Sequence, residues 1–174
     1  MSRTIVLLTA LLFVACGGDS TDSTTYDGKQ FAGQGYRIEA PTGWERRAKV
    51  MGCDVILVNP ANGADDGFAE NLNVVLENLP GSVSAEQYYD LTAQNLKQTF
   101  GQPVSERENC RLNGLDAHRI RYSMQMGDKN LDNDAYLIVR DGSAYVITLS
   151  MLEGESRRRH LGELTDIART FRLE

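Results

Sequence analysis

The residue types that most often carry catalysis are sparse in this chain of 174 residues and lie far apart. The two histidines, His118 and His160, are accompanied neither by a nucleophile motif such as GxSxG nor by a phosphate-binding loop. His118 alternates in phase with Ile120 and Tyr122, which predicts a partly buried imidazole on a strand. We therefore expect a protein that is not an enzyme.

One acidic segment invites comparison with a calcium-binding loop. Asp128, Asn130 and Asp132 match the first three ligand positions of such a loop. The position that requires glycine is Asn133, and the position that requires glutamate is Val139. Because the match fails where the geometry is strictest, the three residues are weak metal candidates in what we predict is an ordinary polar loop.

A second acidic segment precedes the strand that begins near Leu72. Asp65, Asp66 and Glu70 cluster there, without a histidine or an ordered ligand spacing. Acidic loops are usually solvated, so we expect neither a metal nor any other cofactor.

Three consecutive arginines form a further candidate binding site. Arg157, Arg158 and Arg159 fall in the first turn of a predicted helix, where the helix dipole is already positive. Such an unfavourable cluster suggests docking to anionic headgroups or to an acidic partner. The alternative is a solvated, charged first turn.

The N-terminus resembles that of a bacterial lipoprotein. An apolar run of about a dozen residues, too short to span a membrane, ends at Cys16 in a sequence that resembles a lipobox, although Phe13 stands where leucine is usual. We predict a signal peptide at 1–15 and attachment to the membrane through acyl chains such as palmitate on Cys16. The alternative is a cleaved signal peptide with an incidental cysteine. Gly17 favours the outer membrane, facing the periplasm, if the cell has two membranes.

Charge and composition divide the rest of the chain. Eighteen basic and 24 acidic residues give a net charge of −6, which argues against a nucleic acid as partner. Residues 16–30 are small and polar and predict a flexible tether. Residues 31–174 form a single predicted domain.

Two cysteines remain in the predicted domain. An extracytoplasmic compartment favours a disulfide between Cys53 and Cys110, which would stabilise the fold by about 4 kcal/mol in the chain-entropy model. The alternative is two separately buried thiols.

Alternation and turn residues divide the domain into strands. Strands are predicted at 36–40, 55–58, 72–76, 104–111, 116–126, 135–139 and 145–149, and a short one begins at Trp44, whose ring is expected in the core. Asn113-Gly114 predicts a tight turn, and 127–132 predicts a polar loop. The strands at 135–139 and 145–149 carry bulk on both sides, so we expect them to be central and covered on both faces.

Two helices are predicted to provide that cover. The first opens with a capping box of Ser84 and Gln87 and stops at Gly101. Its buried stripe is expected to contain Tyr89, Ala93, Leu96 and Phe100, with Tyr88 to one side. The second helix spans about 156–171.

The order of these elements resembles that of the PsbP-like group, which includes DcrB-type bacterial lipoproteins and a Ran-binding nuclear import factor. The resemblance covers about residues 31–173. It rests on YRIEAPTGW (36–44), the strand pair ending at Pro80, SAEQY (84–88), LNGLDA (112–117), the strand at 142–149 and the final helix with Thr170-Phe171. It implies an α+β fold, an antiparallel sheet with helices on both faces (an α/β/α sandwich), and a protein-binding adaptor rather than an enzyme.

We therefore expect a lipid-anchored envelope protein with a non-catalytic domain that binds a protein partner. The alternative is a small-ligand-binding or carrier lipoprotein, with a pocket between sheet and helix near His118, Tyr122 and Met124. A broad exposed apolar patch would favour the adaptor, and a deep pocket with convergent polar groups would favour the ligand binder.

Overall fold

A computed structural model of the chain describes residues 24–25, 30–48, 52–63, 67–101 and 104–174. The predicted signal peptide, Cys16, most of the tether, and Asp65 and Asp66 lie outside the described residues. Within the described ranges, no helix is long and apolar enough to cross a membrane.

The described residues form strands and two helices, joined by short turns. The strands are β1 (Thr24–Thr25), β2 (Gln30–Ala32), β3 (Tyr36–Glu39), β4 (Glu45–Ala48), β5 (Val55–Val58), β6 (Asn71–Asn78), β7 (Glu106–Leu112), β8 (Leu115–Met126), β9 (Lys129–Arg140), β10 (Ser143–Leu152) and β11 (Arg172–Leu173). The helices are α1 (Ala85–Phe100) and α2 (Glu155–Ala168), and a short 3₁₀ turn covers Pro60–Gly63.

An antiparallel sheet of eight strands forms the centre of the fold, in the order β1-β4-β5-β6-β10-β9-β8-β7. The apolar strands β9 and β10 lie inside this sheet, as predicted, and the charged strand β7 forms one edge. At the other edge, Thr24–Thr25 of the predicted tether pair with β4. A second sheet has the order β11-β3-β2.

The two faces of the large sheet carry different helices. Successive side chains of a strand point to opposite faces, so Ile147 and Leu149 of β10 face α2, whereas Ala144 and Val146 face α1. Helix α2 packs on β10, β6 and β3, and α1 packs on β8 and β9. The predicted α+β fold, with an antiparallel sheet covered by helices on both faces, is confirmed.

The core on the α2 face is rich in aromatic side chains. Tyr36 stacks on Phe171 with ring centroids 5.2 Å apart. Trp44 is buried, as predicted, and its indole Nε1 donates to Glu163 Oε1 at 3.1 Å. This bond gives the buried ring a partner for its one polar atom.

Helix α1 begins and ends where its sequence signals predict. The Ser84 hydroxyl accepts from the Gln87 amide at 3.1 Å, and the Gln87 side chain accepts from the Ser84 amide at 2.9 Å, which completes the capping box. Gly101 ends the helix with φ of 69° and donates its amide to the Lys97 carbonyl.

The buried face of α1 is wider than predicted. Tyr88, expected beside the buried stripe, is only 1% exposed. The reason is that the sheet extends beyond β8 and β9 to β6, whose Glu77 hydrogen-bonds the Tyr88 side chain. Alternation along one strand could not show how far the sheet extends sideways under the helix.

The polar loop predicted at 127–132 is wrong. Only Gly127 and Asp128 turn, and β9 starts at Lys129, which pairs with Met126. Asn130 and Asp132 are therefore strand residues, two positions apart, whose side chains face the same side of the sheet. Polar residues are tolerated in this strand because Asp132 accepts from the Ser123 hydroxyl at 2.9 Å.

The expected disulfide is not formed, because Cys53 and Cys110 are free thiols. Cys53 lies just before β5, and Cys110 lies on β7, with β6, β10, β9 and β8 between these strands. Neighbouring strands are about 4.8 Å apart, whereas a disulfide needs Cα atoms within about 7 Å. The alternative weighed from the sequence, two separate thiols, is what the structure has.

Candidate functional site

A cavity of about 110 Å³ lies between α1 and the large sheet, and we call it the α1 cleft. Its floor contains Asn71, Asn73, Val75 and Glu77 of β6, Val146, Thr148 and Ser150 of β10, and Leu131, Asn133 and Ala135 of β9. Its walls contain Tyr88, Thr92 and Leu96 of α1, Ile56 and Phe68 on the opposite side, and Ile120, Tyr122, Met124 and Met126 of β8.

The helix wall follows directly from helix geometry. Tyr88, Thr92 and Leu96 are spaced four residues apart, so they lie on one stripe of α1. At 1.5 Å per residue, this stripe runs for about 12 Å along the cleft. The cleft is therefore elongated in the direction of the helix.

The floor carries a row of polar side chains set by the strand register. Ser150 of β10 pairs with Asn71 on one side and with Asn133 on the other. In the next row, Thr148 pairs with Asn73. Because cross-strand partners project to the same face, these amides and hydroxyls form one polar band under the helix.

Within this band, Asn133 has a donor without a partner. The residue is 2% exposed, and its Oδ1 accepts from the Ser150 hydroxyl at 2.8 Å. Its Nδ2 is buried and has no hydrogen-bond partner among the described residues. A buried donor without a partner costs roughly 1–3 kcal/mol, so this amide favours an acceptor in the cleft.

One end of the cleft is apolar and adaptable. Met124 and Met126 line it together with Leu131. Tyr122 stacks on Phe100 of α1 with centroids 6.1 Å apart, and its side chain hydrogen-bonds Thr148. Methionine side chains are flexible and fill irregular space, so this end can adjust to an occupant.

The other end of the cleft holds a hydrogen-bonded acid. Burial raises the pKa of Glu77, and the hydrogen bond with Tyr88 opposes that shift in part. Burial, together with the neighbouring Glu77, raises the pKa of Tyr88. Of the described residues that line the cleft, only Glu77 has a side chain that is charged at neutral pH in its ordinary state.

The structure brings together two of the three residues in the predicted pocket. Tyr122 and Met124 line the α1 cleft. His118 lies outside it, against the Tyr89 ring at 5.6 Å and with its Nε2 3.8 Å from a carboxylate oxygen of Glu86. The histidine shares their strand face but lies beyond the end of the cleft.

Sequence reasoning missed the polar floor. Thr148 lies on a strand predicted to be covered on both faces, and Asn133 and Ser150 lie just beyond the predicted bounds of the two central strands. The sequence signal for this floor was a polar residue at a position where the alternation of the strand predicts a buried side chain. What the sequence could not supply was the register that places these side chains next to each other.

The weak metal candidates do not converge. Asp128 is exposed in the turn and Asn130 is exposed at the start of β9, whereas Asp132, on the same face of β9 as Asn130, accepts from the Ser123 hydroxyl. Across the described ranges, no group of three or more metal-binding side chains of the Asp, Glu, His and Cys types comes together.

The three arginines do not form one surface either. The Nη1 of Arg157 points inward and lies 2.5 Å from Asp134 Oδ2, and the Asp134 side chain is fully buried. Arg158 is exposed, and Arg159 pairs with Glu155 at 3.1 Å. Arg119 completes the buried cluster, 2.7 Å from Asp134 Oδ1. The triplet is therefore divided between a structural ion pair and the surface.

The arrangement of sheets and helices is shared with solved structures. The chain has a PsbP-like fold. It is similar to CyanoP, the cyanobacterial PsbP of Synechocystis sp. PCC 6803, with 18% identity, coverage of 92% of this chain and 98% of CyanoP, and a TM-score of 0.57. It is also similar to LpqN of Mycobacterium tuberculosis, a protein involved in cell envelope biogenesis, with 16% identity, coverage of 87% and 83%, and a TM-score of 0.57.

A third similar structure belongs to a larger protein of Bacteroides thetaiotaomicron VPI-5482. The identity is 15% and the TM-score 0.57, with 86% of this chain covered but only 49% of that one, so this chain spans about half its length. No protein-family model matches the sequence, and no curated protein matches it. At these identities, the similarity shows a shared fold and nothing further.

Proposed function

We propose that this chain is a lipid-anchored, non-catalytic protein of the cell envelope that binds a small, largely apolar ligand in the α1 cleft. The observation that carries the proposal is the cleft, with apolar walls and a short band of amides and hydroxyls on its floor. This is the usual composition of a ligand site. Its volume of about 110 Å³ is below that of typical sites for drug-sized molecules, so a small, slender ligand fits best.

Two observations support a location in the cell envelope. The N-terminal residues resemble a lipoprotein signal that ends at Cys16. LpqN, which has a similar fold, takes part in cell envelope biogenesis. Under this proposal, acyl chains on Cys16 hold the domain at the membrane while the cleft faces the aqueous side.

The residue types in the cleft support a non-catalytic binding site. Apart from Glu77, the polar groups of the described floor are amides and hydroxyls, which do not ionise at neutral pH. Glu77, the one carboxylic acid among the described lining residues, is hydrogen-bonded to Tyr88 rather than to a basic side chain. These groups can orient a bound molecule through hydrogen bonds.

A small ligand suits this site better than the protein partner favoured by the sequence. The side chains of Tyr88 and Asn133 are 1% and 2% exposed, and they lie beneath the helix. The surface of another folded protein cannot reach side chains buried to this degree without moving α1. A slender molecule can enter along the helix.

The test uses methionine methyl groups as local reporters. The full-length lipoprotein is labelled with [¹³C-methyl]methionine in lipid nanodiscs and titrated with 2-hexanone, a small neutral probe. The methyl resonances of Met124 and Met126 are expected to shift, because both residues line the cleft. Met151 is fully buried on the α2 face and should not shift, so it serves as an internal control.

A pair of valine variants separates the cleft from the rest of the core. Val146→Phe fills the floor and should abolish the shifts of Met124 and Met126. Val139→Phe is the matched control, because Val139 packs against the same cluster but does not line the cleft. Shifts that persist in Val146→Phe, or wild-type spectra that 2-hexanone leaves unchanged, would overturn the proposed function.

A further inference from the structure

We infer that the ligand of the α1 cleft is an uncharged molecule with a slender apolar body and one oxygen acceptor, and that Asn133 recognises this oxygen. The inference rests on the proposed function and adds to it the chemical class of the ligand. Three features of the cleft support it: the donor at Asn133, the sign of the charge that Glu77 can carry, and the shape of the apolar space.

The Asn133 side chain is oriented so that its Nδ2 donor is free to bind a ligand. The Ser150 hydroxyl donates to Asn133 Oδ1 at 2.8 Å, which occupies the acceptor end of the amide. The Nδ2 end is buried and has no partner in the described part of the chain. An oxygen acceptor on the ligand would satisfy this donor and remove the free-energy cost of its burial.

The charge of the cleft disfavours an anionic ligand. No lysine, arginine or histidine occurs among the described lining residues, and the one carboxylic acid among them is Glu77. A buried carboxylate on the ligand would therefore lack a counter-charge and would be repelled by Glu77 whenever that side chain is ionised. A carbonyl or ether oxygen offers the same lone pairs to Asn133 without this penalty.

The apolar space extends away from the Asn133 amide toward β8. Tyr122 pairs with Asn133, and Met124 pairs with Leu131, so the next positions of both strands on this face are apolar. The helix wall runs beside them for about 12 Å. A ligand whose oxygen meets Asn133 can therefore place a short, unbranched apolar chain between α1 and the methionines.

The experiment compares three probes of similar size in the same labelled, full-length protein. 2-Hexanone has a neutral oxygen acceptor, hexanoate has an anionic one, and 1-chloropentane lacks a strong acceptor. At neutral pH, we expect 2-hexanone to bind about tenfold more tightly than hexanoate, as judged by the shifts of Met124 and Met126. We expect it to bind about fivefold more tightly than 1-chloropentane, the difference that one net hydrogen bond provides.

A variant of Asn133 tests whether this residue causes the preference for 2-hexanone. Asn133→Leu removes the donor at similar volume and should weaken 2-hexanone binding about fivefold while leaving 1-chloropentane binding unchanged or stronger. Asn130→Leu, on the same strand but exposed, is the control and should preserve the preference.

The outcomes separate this inference from the proposed function. Equal binding of all three probes, or tighter binding of hexanoate, would overturn the inference but leave a ligand-binding cleft. The absence of any shift with all three probes would overturn both. The comparison of probes in the wild-type protein shows whether the cleft prefers a neutral oxygen acceptor, even if Asn133→Leu does not fold.

Discussion

Glu77 is partly buried and hydrogen-bonded to Tyr88. Its protonation state therefore affects the free energy of unfolding. Burial raises the pKa of the carboxyl group, so the folded protein holds the proton more tightly than the unfolded chain does. The stability that this group contributes is therefore greatest at low pH. It declines as the pH rises from the ordinary pKa of a glutamate through the raised value.

The corresponding prediction concerns Glu77→Gln. The variant cannot ionise, and its amide oxygen can still accept from Tyr88. The difference in unfolding free energy, variant minus wild type, should increase as the pH rises from about 4 to about 7, as measured by urea denaturation. Glu153→Gln, at an exposed position, is the control and should show no such increase. A difference for Glu77→Gln that is constant with pH would contradict the raised pKa.

The two free cysteines should differ in reactivity. Cys53 is 3% exposed, and burial raises the pKa of its thiol to about 12, so little thiolate forms. Cys110 is partly exposed, although burial also raises the pKa of its thiol. In the native protein without reductant, we expect Cys110 to react with a disulfide reagent and Cys53 to react only after denaturation.

Cys110→Ser should remove the fast reaction and leave the slow one. If the denatured protein showed no reactive thiol without reductant, the two residues would be bridged after all. The measurement therefore also tests whether Cys53 and Cys110 are free thiols, as in the structure, or form the disulfide expected from the sequence.

Helix α2 is held to the sheet by an ion pair that its sequence does not reveal. Arg157 meets the buried carboxylate of Asp134, which also binds Arg119 from β8. Arg157→Ala leaves one oxygen of this carboxylate without its helix partner, and we expect a loss of about 3 kcal/mol in unfolding free energy. Arg158→Ala, one residue further on and exposed, should cost less than about 0.5 kcal/mol. Equal effects of the two variants in urea denaturation would show that Arg157 is not structural.

Local signals predicted those elements whose boundaries depend on local chemistry. The Ser84 capping box and the Asn113-Gly114 turn both form, because their hydrogen bonds and backbone angles involve only a few neighbouring residues. The start of β9 was missed for the opposite reason. Its acidic residues look like a loop, but Asp134 forms ion pairs with Arg119 and Arg157, which are distant in sequence.

The same distinction between local and long-range contacts explains which residues of the α1 cleft the sequence predicts. Tyr122 and Met124 were expected in a pocket between sheet and helix because they share a strand face. The polar floor depends on three strands in register, β6, β10 and β9, of which β6 and β10 are joined only after α1 and three other strands. The sheet order that creates the cleft is therefore a property of the complete fold.

This sheet order also predicts how stability is distributed across the molecule. Strands β9 and β10 are paired on both sides and covered by a helix on each face. Among the described residues, β7 pairs only with β8, and most of its side chains are exposed. Amides in the centre of the sheet should exchange with deuterium only on global unfolding, which in domains of this kind costs roughly 5–15 kcal/mol, and those at the edge should exchange through local opening.

Hydrogen exchange measured by mass spectrometry checks this expectation on peptides that cover 131–140 and 106–112. The first peptide should exchange more slowly by at least about tenfold, since even 1.4 kcal/mol between local and global opening gives that factor. Strand β8, paired on both sides but next to the edge strand, should fall between them. If 106–112 were protected as strongly as 131–140, the edge of the sheet would be covered by a partner, and the protein-binding hypothesis from the sequence would gain a specific surface.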